Sequence, residues 1–217
     1  MSKPQLIIFD CDGVLVDSEH LSSQLIAEEI SKLGFPMKTA QAQGLFTGGS
    51  LADVEQYIES KLGHPIPYDF EAVFRKRSYE LFESSLQPIS EIEEALKAIS
   101  AMSIQNCVAS NGPLEKMLFN LEKTKLLSYF EDRLFSAYQV NRWKPDPFLF
   151  LHAAKTMKVA PAHCLVIEDS THGVEAAVAA GIPVLGYSEG ANGDALKKAG
   201  AKVFSDMRDL PDLIDAF

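Results

Sequence analysis

Positive charge is scarce in this chain: 20 Lys and Arg stand against 30 Asp and Glu, a net charge of −10. An acidic surface does not attract nucleic acid or anionic membrane, so neither is expected as a partner. An anionic substrate would have to meet a local positive site, with a metal cation as the natural supplement. Cysteine is scarcer still. Cys11, Cys107 and Cys164 are odd in number and show no C-x-x-C spacing, which excludes a disulfide framework or a zinc ribbon. Each lies in or beside a short apolar run and reads as a small buried hydrophobe. The five histidines show no H-x-x-x-H spacing, so zinc is not expected. Long apolar runs are missing too. The first, Leu6 to Phe9, ends in acid after four residues, and nothing approaches the ~20 residues that span a bilayer. A cytoplasmic protein with no obligate protein partner is the expectation.

What is present is an ordinary globular composition, 47% hydrophobic and 23% charged over 217 residues, without repeats or low-complexity tracts. A chain of this length buries roughly 70% of its unfolded surface and needs no disulfide to be stable. In the second half, strand-sized runs alternate with helix-like segments. The runs are 105–110, 133–138, 163–169, 182–187 and 201–205, and LIIFD (6–10) supplies a first strand. Such alternation implies βαβ units and a parallel sheet. Gly181 and Gly200 sit where helices should end, and Pro113 and Pro147 where they should begin.

About 90 residues separate the first strand from the second, far more than one crossover helix requires. Residues 17–84 read as nearly all helix. Leu21, Leu25, Ile26, Ile30 and Leu33 form a stripe ending at Gly34, and Ser50-x-x-Asp53 predicts a capping box. Pro67 precedes a third helical segment. A helical insertion after strand one, placed over the carboxyl edge of the sheet, would act as a lid.

Four polar constellations fall at the ends of predicted strands. In Asp10-Cys11-Asp12-Gly13, extended geometry would turn both carboxylates to one side, where they need a cation or a proton. The apolar Val14-Leu15-Val16 that follows, with no Glu at the last ligand position, argues against a calcium loop. Ser110-Asn111-Gly112-Pro113 puts a hydroxyl beside helix N-terminal amides, an anion seat. Lys144 lies between Trp143 and Pro145 in a proline-stiffened loop, and Glu168-Asp169 ends another strand in a second acidic pair. Hard oxygen donors from two places suit Mg²⁺. Four polar sets at four strand ends of one parallel sheet build one site.

The ordered motifs D-C-D-G-V-L-V-D-S-E (10–19), S-N-G (110–112), K-P-D-P (144–147) and E-D-S (168–170) closely resemble the haloacid dehalogenase-like hydrolase superfamily. The resemblance runs the length of the chain and is strongest to its β-phosphoglucomutase-like branch of sugar-phosphate phosphatases. It implies an α/β fold, a Rossmann-like doubly wound parallel sheet, with a core of residues 1–16 and 86–217 and a helical cap of residues 17–85. It also implies roles. Asp10 would be the nucleophile that forms an aspartyl-phosphate, and Asp12 the acid and then the base. Ser110 and Lys144 would hold phosphate oxygens with Asn111 in support. Asp10, the Asp12 carbonyl, Glu168 and Asp169 would bind Mg²⁺.

The substrate expectation is a small phosphorylated sugar or sugar acid. Thr47, Gly48 and Ser50 of the cap loop suit hydroxyl groups, and Arg75 could grip a carboxylate by its two-pronged geometry. A mutase of the same family is the nearest alternative. It needs a cation for a distal phosphate, and residues 43–50 contain no Lys or Arg. The family's mutases also carry a gating histidine where this chain has Ser22. A phospho-receiver signalling module uses similar groups, but it is about half this length, lacks a helical insertion, and orders its motifs differently.

Overall fold

A computed structural model describes residues 3–46, 50–190 and 192–217. Six short strands form one sheet: β1 (Leu6–Phe9), β2 (Gln105–Ser110), β3 (Leu134–Ser136), β4 (Cys164–Glu168), β5 (Val184–Tyr187) and β6 (Lys202–Phe204). Their spatial order is β3-β2-β1-β4-β5-β6, and every neighbouring pair is parallel. In β1 all four residues are buried, as a strand covered on both faces requires. Leu6 and Ile8 join Cys107, Ala109, Val166 and Val184 in one cluster with Leu149, Phe150, Val174 and Ala177. The alternate residues Ile7, Phe9, Val108, Leu165 and Ile167 are also buried, and Phe9 meets Phe130 edge-on at 5.8 Å. This is the doubly wound α/β layering.

The chain order reverses at β1, which lies between β2 and β4. In such sheets the crevice at the carboxyl ends of the strands flanking the reversal is where ligands bind. The connecting helices are α5 (Ile92–Ala101), α6 (Leu114–Lys123), α7 (Ala137–Val140), α8 (Phe148–Thr156), α9 (Thr171–Ala179), α10 (Gly193–Ala199) and α11 (Leu210–Asp215). Pro113 and Pro147 are the N-caps of α6 and α8, and Gly200 is the C-cap of α10. The run expected as a strand over 133–138 is cut to three residues. Ser136 and Gln139 form a capping box there and turn the chain into α7. All three cysteines are free and buried, and burial pushes the Cys164 thiol up to about 11.

Contacts divide the chain into two compact units, Met1–Val16 with Pro88–Phe217, and Asp17–Gln87. The second unit holds α1 (Glu19–Lys32), α2 (Thr39–Phe46), α3 (Leu51–Leu62) and α4 (Phe70–Ser85). They enclose a separate core of Leu25, Ile26, Ile30, Val54, Ile58, Phe70 and Phe74. The Ser50–Asp53 capping box opens α3. No helix among the described residues is long and apolar enough to cross a membrane.

Candidate active site

Asp10 follows β1 directly, and its N–H donates to the Ile167 carbonyl of β4 at 2.9 Å. The residue is nearly buried, at 8% exposure. From the next loop, Lys144 Nζ donates to Asp10 Oδ1 at 2.5 Å and to Glu168 Oε1 at 2.7 Å. The ammonium also lies 4.8 Å from the Phe150 ring centroid, so its surroundings are dry on one side. Burial opposes the charge on Lys144, but the Asp10 and Glu168 carboxylates outweigh it and hold the ammonium above its ordinary range. Asp10 is pushed up to about 7, by burial first. Lys144 pulls it down, and Glu168 raises it again. Burial, more than the neighbouring charges, is what keeps this carboxyl high.

Asn111 places Lys144. Its Oδ1 accepts from the Lys144 N–H at 2.8 Å, and its Nδ2 donates to the Lys144 carbonyl at 3.4 Å. Asn111, expected in support of the phosphate-holding residues, clamps the lysine's main chain in this structure. Ser110, at the end of β2, is 2% exposed, and its Oγ accepts from the Gly112 N–H at 3.1 Å. Ser136 Oγ donates to the Gly112 carbonyl at 2.6 Å and fixes the same turn.

Glu168 ends β4 with no exposed surface. Its Oε2 accepts from the Asp169 N–H (3.0 Å), the Ser170 N–H (2.9 Å) and the Ser170 hydroxyl (2.9 Å). Two glycines make room for this acidic pair. A Cβ on Gly173 would lie 1.8 Å from Glu168 Oε1, and one on Gly13 would lie 2.0 Å from Asp169 Oδ2. Gly13 also has φ +81°, a region that L side chains rarely adopt. Asn192 Nδ2 donates to the Asp169 carbonyl at 2.9 Å and ties this loop down from the start of α10.

Ligand oxygens of Asp10, Glu168 and Asp169 lie within 4.8 Å of one another. Asp10 and Glu168 share the Lys144 ammonium, and with Asp169 they form an electron-rich oxygen cluster, which fits a hard divalent cation. These residues suit such a metal.

Asp12 does not join the cluster as extended geometry predicted. Both its carboxylate oxygens accept from Lys116 Nζ at 2.7 Å, and Oδ1 also accepts from Asn120 Nδ2 at 3.3 Å. The physical reason is that β1 ends at Phe9 and the chain turns through Gly13, so the two-residue alternation stops before it reaches Asp12. Sequence reasoning missed Lys116 and Asn120. The available signal was their spacing, one helical turn apart in the helix that follows the anion seat.

Of the residues assigned to sugar recognition, Thr47 and Gly48 lie outside the described residues. Ser50 is committed to its cap, accepting from the Asp53 N–H at 3.3 Å and donating to Asp53 Oδ2 at 2.8 Å. Arg75 pairs along its own helix with Glu71 Oε1, through Nε at 2.8 Å and a terminal nitrogen at 2.5 Å.

The haloacid dehalogenase-like hydrolase family model matches residues 7–187. The 6-phosphogluconate phosphatase of Escherichia coli K12 is 33% identical over 214 residues, covering 98% of this chain and 96% of that protein. A phosphorylated carbohydrates phosphatase of Thermotoga maritima is 30% identical, covering 91% and 92%. A hydrolase of the same family from Deinococcus radiodurans R1, solved with phosphate and sodium bound, superposes with a TM-score of 0.85. It is 27% identical, with 100% and 97% of the two chains covered.

Proposed function

Because this chain belongs to the haloacid dehalogenase-like hydrolase family and is a phosphatase, we propose that it hydrolyses a small phosphorylated sugar or sugar acid through an aspartyl-phosphate on Asp10. The observation that carries the proposal is the Asp10 carboxylate, buried at the carboxyl end of β1 and held by Lys144 beside the Ser110–Gly112 turn. In the first step an Asp10 carboxylate oxygen forms a bond to phosphorus while the bond to the ester oxygen breaks. Asp12 gives its proton to that departing oxygen. Ser110 and the amides of its turn hold phosphoryl oxygens, and the Lys144 ammonium balances their charge. In the second step Asp12 takes a proton from the water that attacks phosphorus. The Asp10 carboxylate is restored and inorganic phosphate leaves.

Mg²⁺ is our choice of cation, held by Asp10, Glu168, Asp169 and the Asp12 carbonyl. When bound it supplies neutralising charge for the phosphoryl group and the carboxylates. Glu168 Oε2 is already taken by three donors, so Oε1, shared with Lys144, is the oxygen it can offer.

The rest of the substrate falls, in this proposal, to Arg75, Ser50, Thr47 and Gly48. For Arg75 to take a substrate carboxylate, Glu71 must give way. Both side chains are partly exposed, and such surface pairs contribute about 0–1 kcal/mol, so the exchange is cheap. The name of the Escherichia coli relative makes 6-phosphogluconate the leading candidate. The test is a panel of sugar phosphates, sugar-acid phosphates and nucleotides, assayed for released phosphate with Mg²⁺, using wild type and Arg75→Ala. We expect sugar-acid phosphates to lead with wild type and to lose that lead with Arg75→Ala. A preference for nucleotides would defeat the substrate proposal, and an unchanged ranking in Arg75→Ala would remove Arg75 from it.

A further inference from the structure

The Asp12 carboxylate is held by two side chains of α6. Lys116 and Asn120 are successive turns of α6 and meet its carboxylate together, the lysine on both oxygens and the amide on Oδ1. Asn120 is fully buried, so it donates from a fixed position. The lysine stem runs past Gly112. A Cβ placed on that glycine would lie 3.5 Å from Ser110 Oγ, 3.8 Å from Asp12 Oδ2 and 3.8 Å from Lys116 Cδ. The acid, the anion-seat hydroxyl and the lysine stem thus surround one glycine, and Oδ2 is the oxygen on that side. The family motifs that carry the chemistry do not include either α6 residue.

We propose that Lys116 is a positioning residue that, with Asn120, fixes the Asp12 carboxyl so that Oδ2 presents its proton to the leaving-group oxygen. This rests on the aspartyl-phosphate mechanism above, with Asp12 as its acid. In that step the Asp12 proton moves to the ester oxygen as the phosphorus–oxygen bond breaks and Asp10 bonds to phosphorus. Oδ1 remains held by Lys116 and Asn120 throughout, so the carboxyl does not rotate away from its partner. A carboxyl free to rotate would spend most of its time misaligned, and misplacement of about 1 Å costs on the order of 10²-fold in rate.

The leaving group separates this role from plain structural support. A p-nitrophenolate departs as a stable anion and needs little proton help, whereas the alkoxide of a sugar phosphate needs a proton. Lys116→Met keeps the stem and removes the donor; Lys116→Gln keeps one donor at similar volume and serves if the methionine variant does not fold. The measurement is kcat/KM for p-nitrophenyl phosphate and for a sugar phosphate, with melting temperature as the check on folding. We expect the sugar-phosphate value to fall roughly 10²-fold in Lys116→Met while the aryl ester stays within about threefold, since acid assistance is worth about that much. Lys116→Arg, which can hold both oxygens, should restore the wild-type ratio. Equal losses on both esters, or no loss on either, would overturn the role of Lys116. Wild type that hydrolyses neither ester would instead sink the phosphatase mechanism, and this inference with it.

Discussion

Replacing Gly173 by alanine should be one of the most damaging single-methyl changes in the molecule. Gly173 lies in the first turn of α9, where its N–H donates to the Ser170 cap at 3.0 Å. Helix propensity alone predicts a gain of about 0.5–1 kcal/mol for alanine. The new Cβ, however, would lie 1.8 Å from Glu168 Oε1, 1.9 Å from its Cδ and 2.4 Å from Oε2. Real Cβ contacts essentially never fall under 3.0 Å, so Glu168 or the helix must move by 3.0 − 1.8 = 1.2 Å. That carboxylate is fully buried and bound to Lys144 and to three donors of the Asp169–Ser170 loop, so its displacement breaks charge-assisted bonds with no water to replace them. Losing even two such bonds at about 1.5–3 kcal/mol each exceeds the propensity gain several-fold. We expect Gly173→Ala to lower stability by about 3 kcal/mol and to cost most of the phosphatase activity. Gly44→Ala in α2 is the control, since nothing lies within 4 Å of its Cβ position. It should be neutral or stabilising. Urea unfolding of both variants reads the difference directly. A Gly173→Ala protein as stable and active as wild type would show that Glu168 is not held where these contacts place it.

Three further outcomes are expected. Asp10 is raised from 3.8 to about 7 in the folded protein, so its neutral form is favoured there; the resulting stability is full below about pH 4 and lost as pH rises toward 7. Asp10→Asn should therefore raise the melting temperature of metal-free protein at pH 8 and leave it nearly unchanged at pH 4, and an equal effect at both would contradict the shift. Activity should disappear on treatment with EDTA and return on adding Mg²⁺; full activity in EDTA would remove the metal from the mechanism. With glucose 1-phosphate the enzyme should release inorganic phosphate and form no glucose 6-phosphate, whereas accumulation of the latter by coupled assay would favour the mutase alternative.

Which features the sequence discloses depends on how local their causes are. The strand ends carrying Asp10, Ser110 and Glu168 are marked by buried runs that stop at polar residues, and parallel pairing then brings them to one edge. The capping box at Ser50 is readable because its partners are three residues apart. The capping box at Ser136 has the same spacing with glutamine at its third helical position, but it sits inside an apolar run that reads as strand. The direction of Asp12 was not readable, since it depends on where β1 stops pairing and on a lysine 104 residues away. The clamp of Asn111 on the Lys144 main chain spans 33 residues and is likewise a product of tertiary packing. Gly173 looks like any helical glycine until the Glu168 carboxylate is placed against it.

The central claim is that Asp10 carries the phosphoryl group, and trapping that adduct tests it most directly. Wild type would be mixed with excess sugar phosphate and Mg²⁺, quenched in acid during turnover, digested, and examined by mass spectrometry. A phosphoryl group should be found on the peptide containing Asp10 and be lost on brief treatment with base, as an acyl phosphate is. Asp10→Asn should carry none and release no phosphate. A fully active Asp10→Asn enzyme, or a phosphoryl group found on another residue during turnover, would contradict the account.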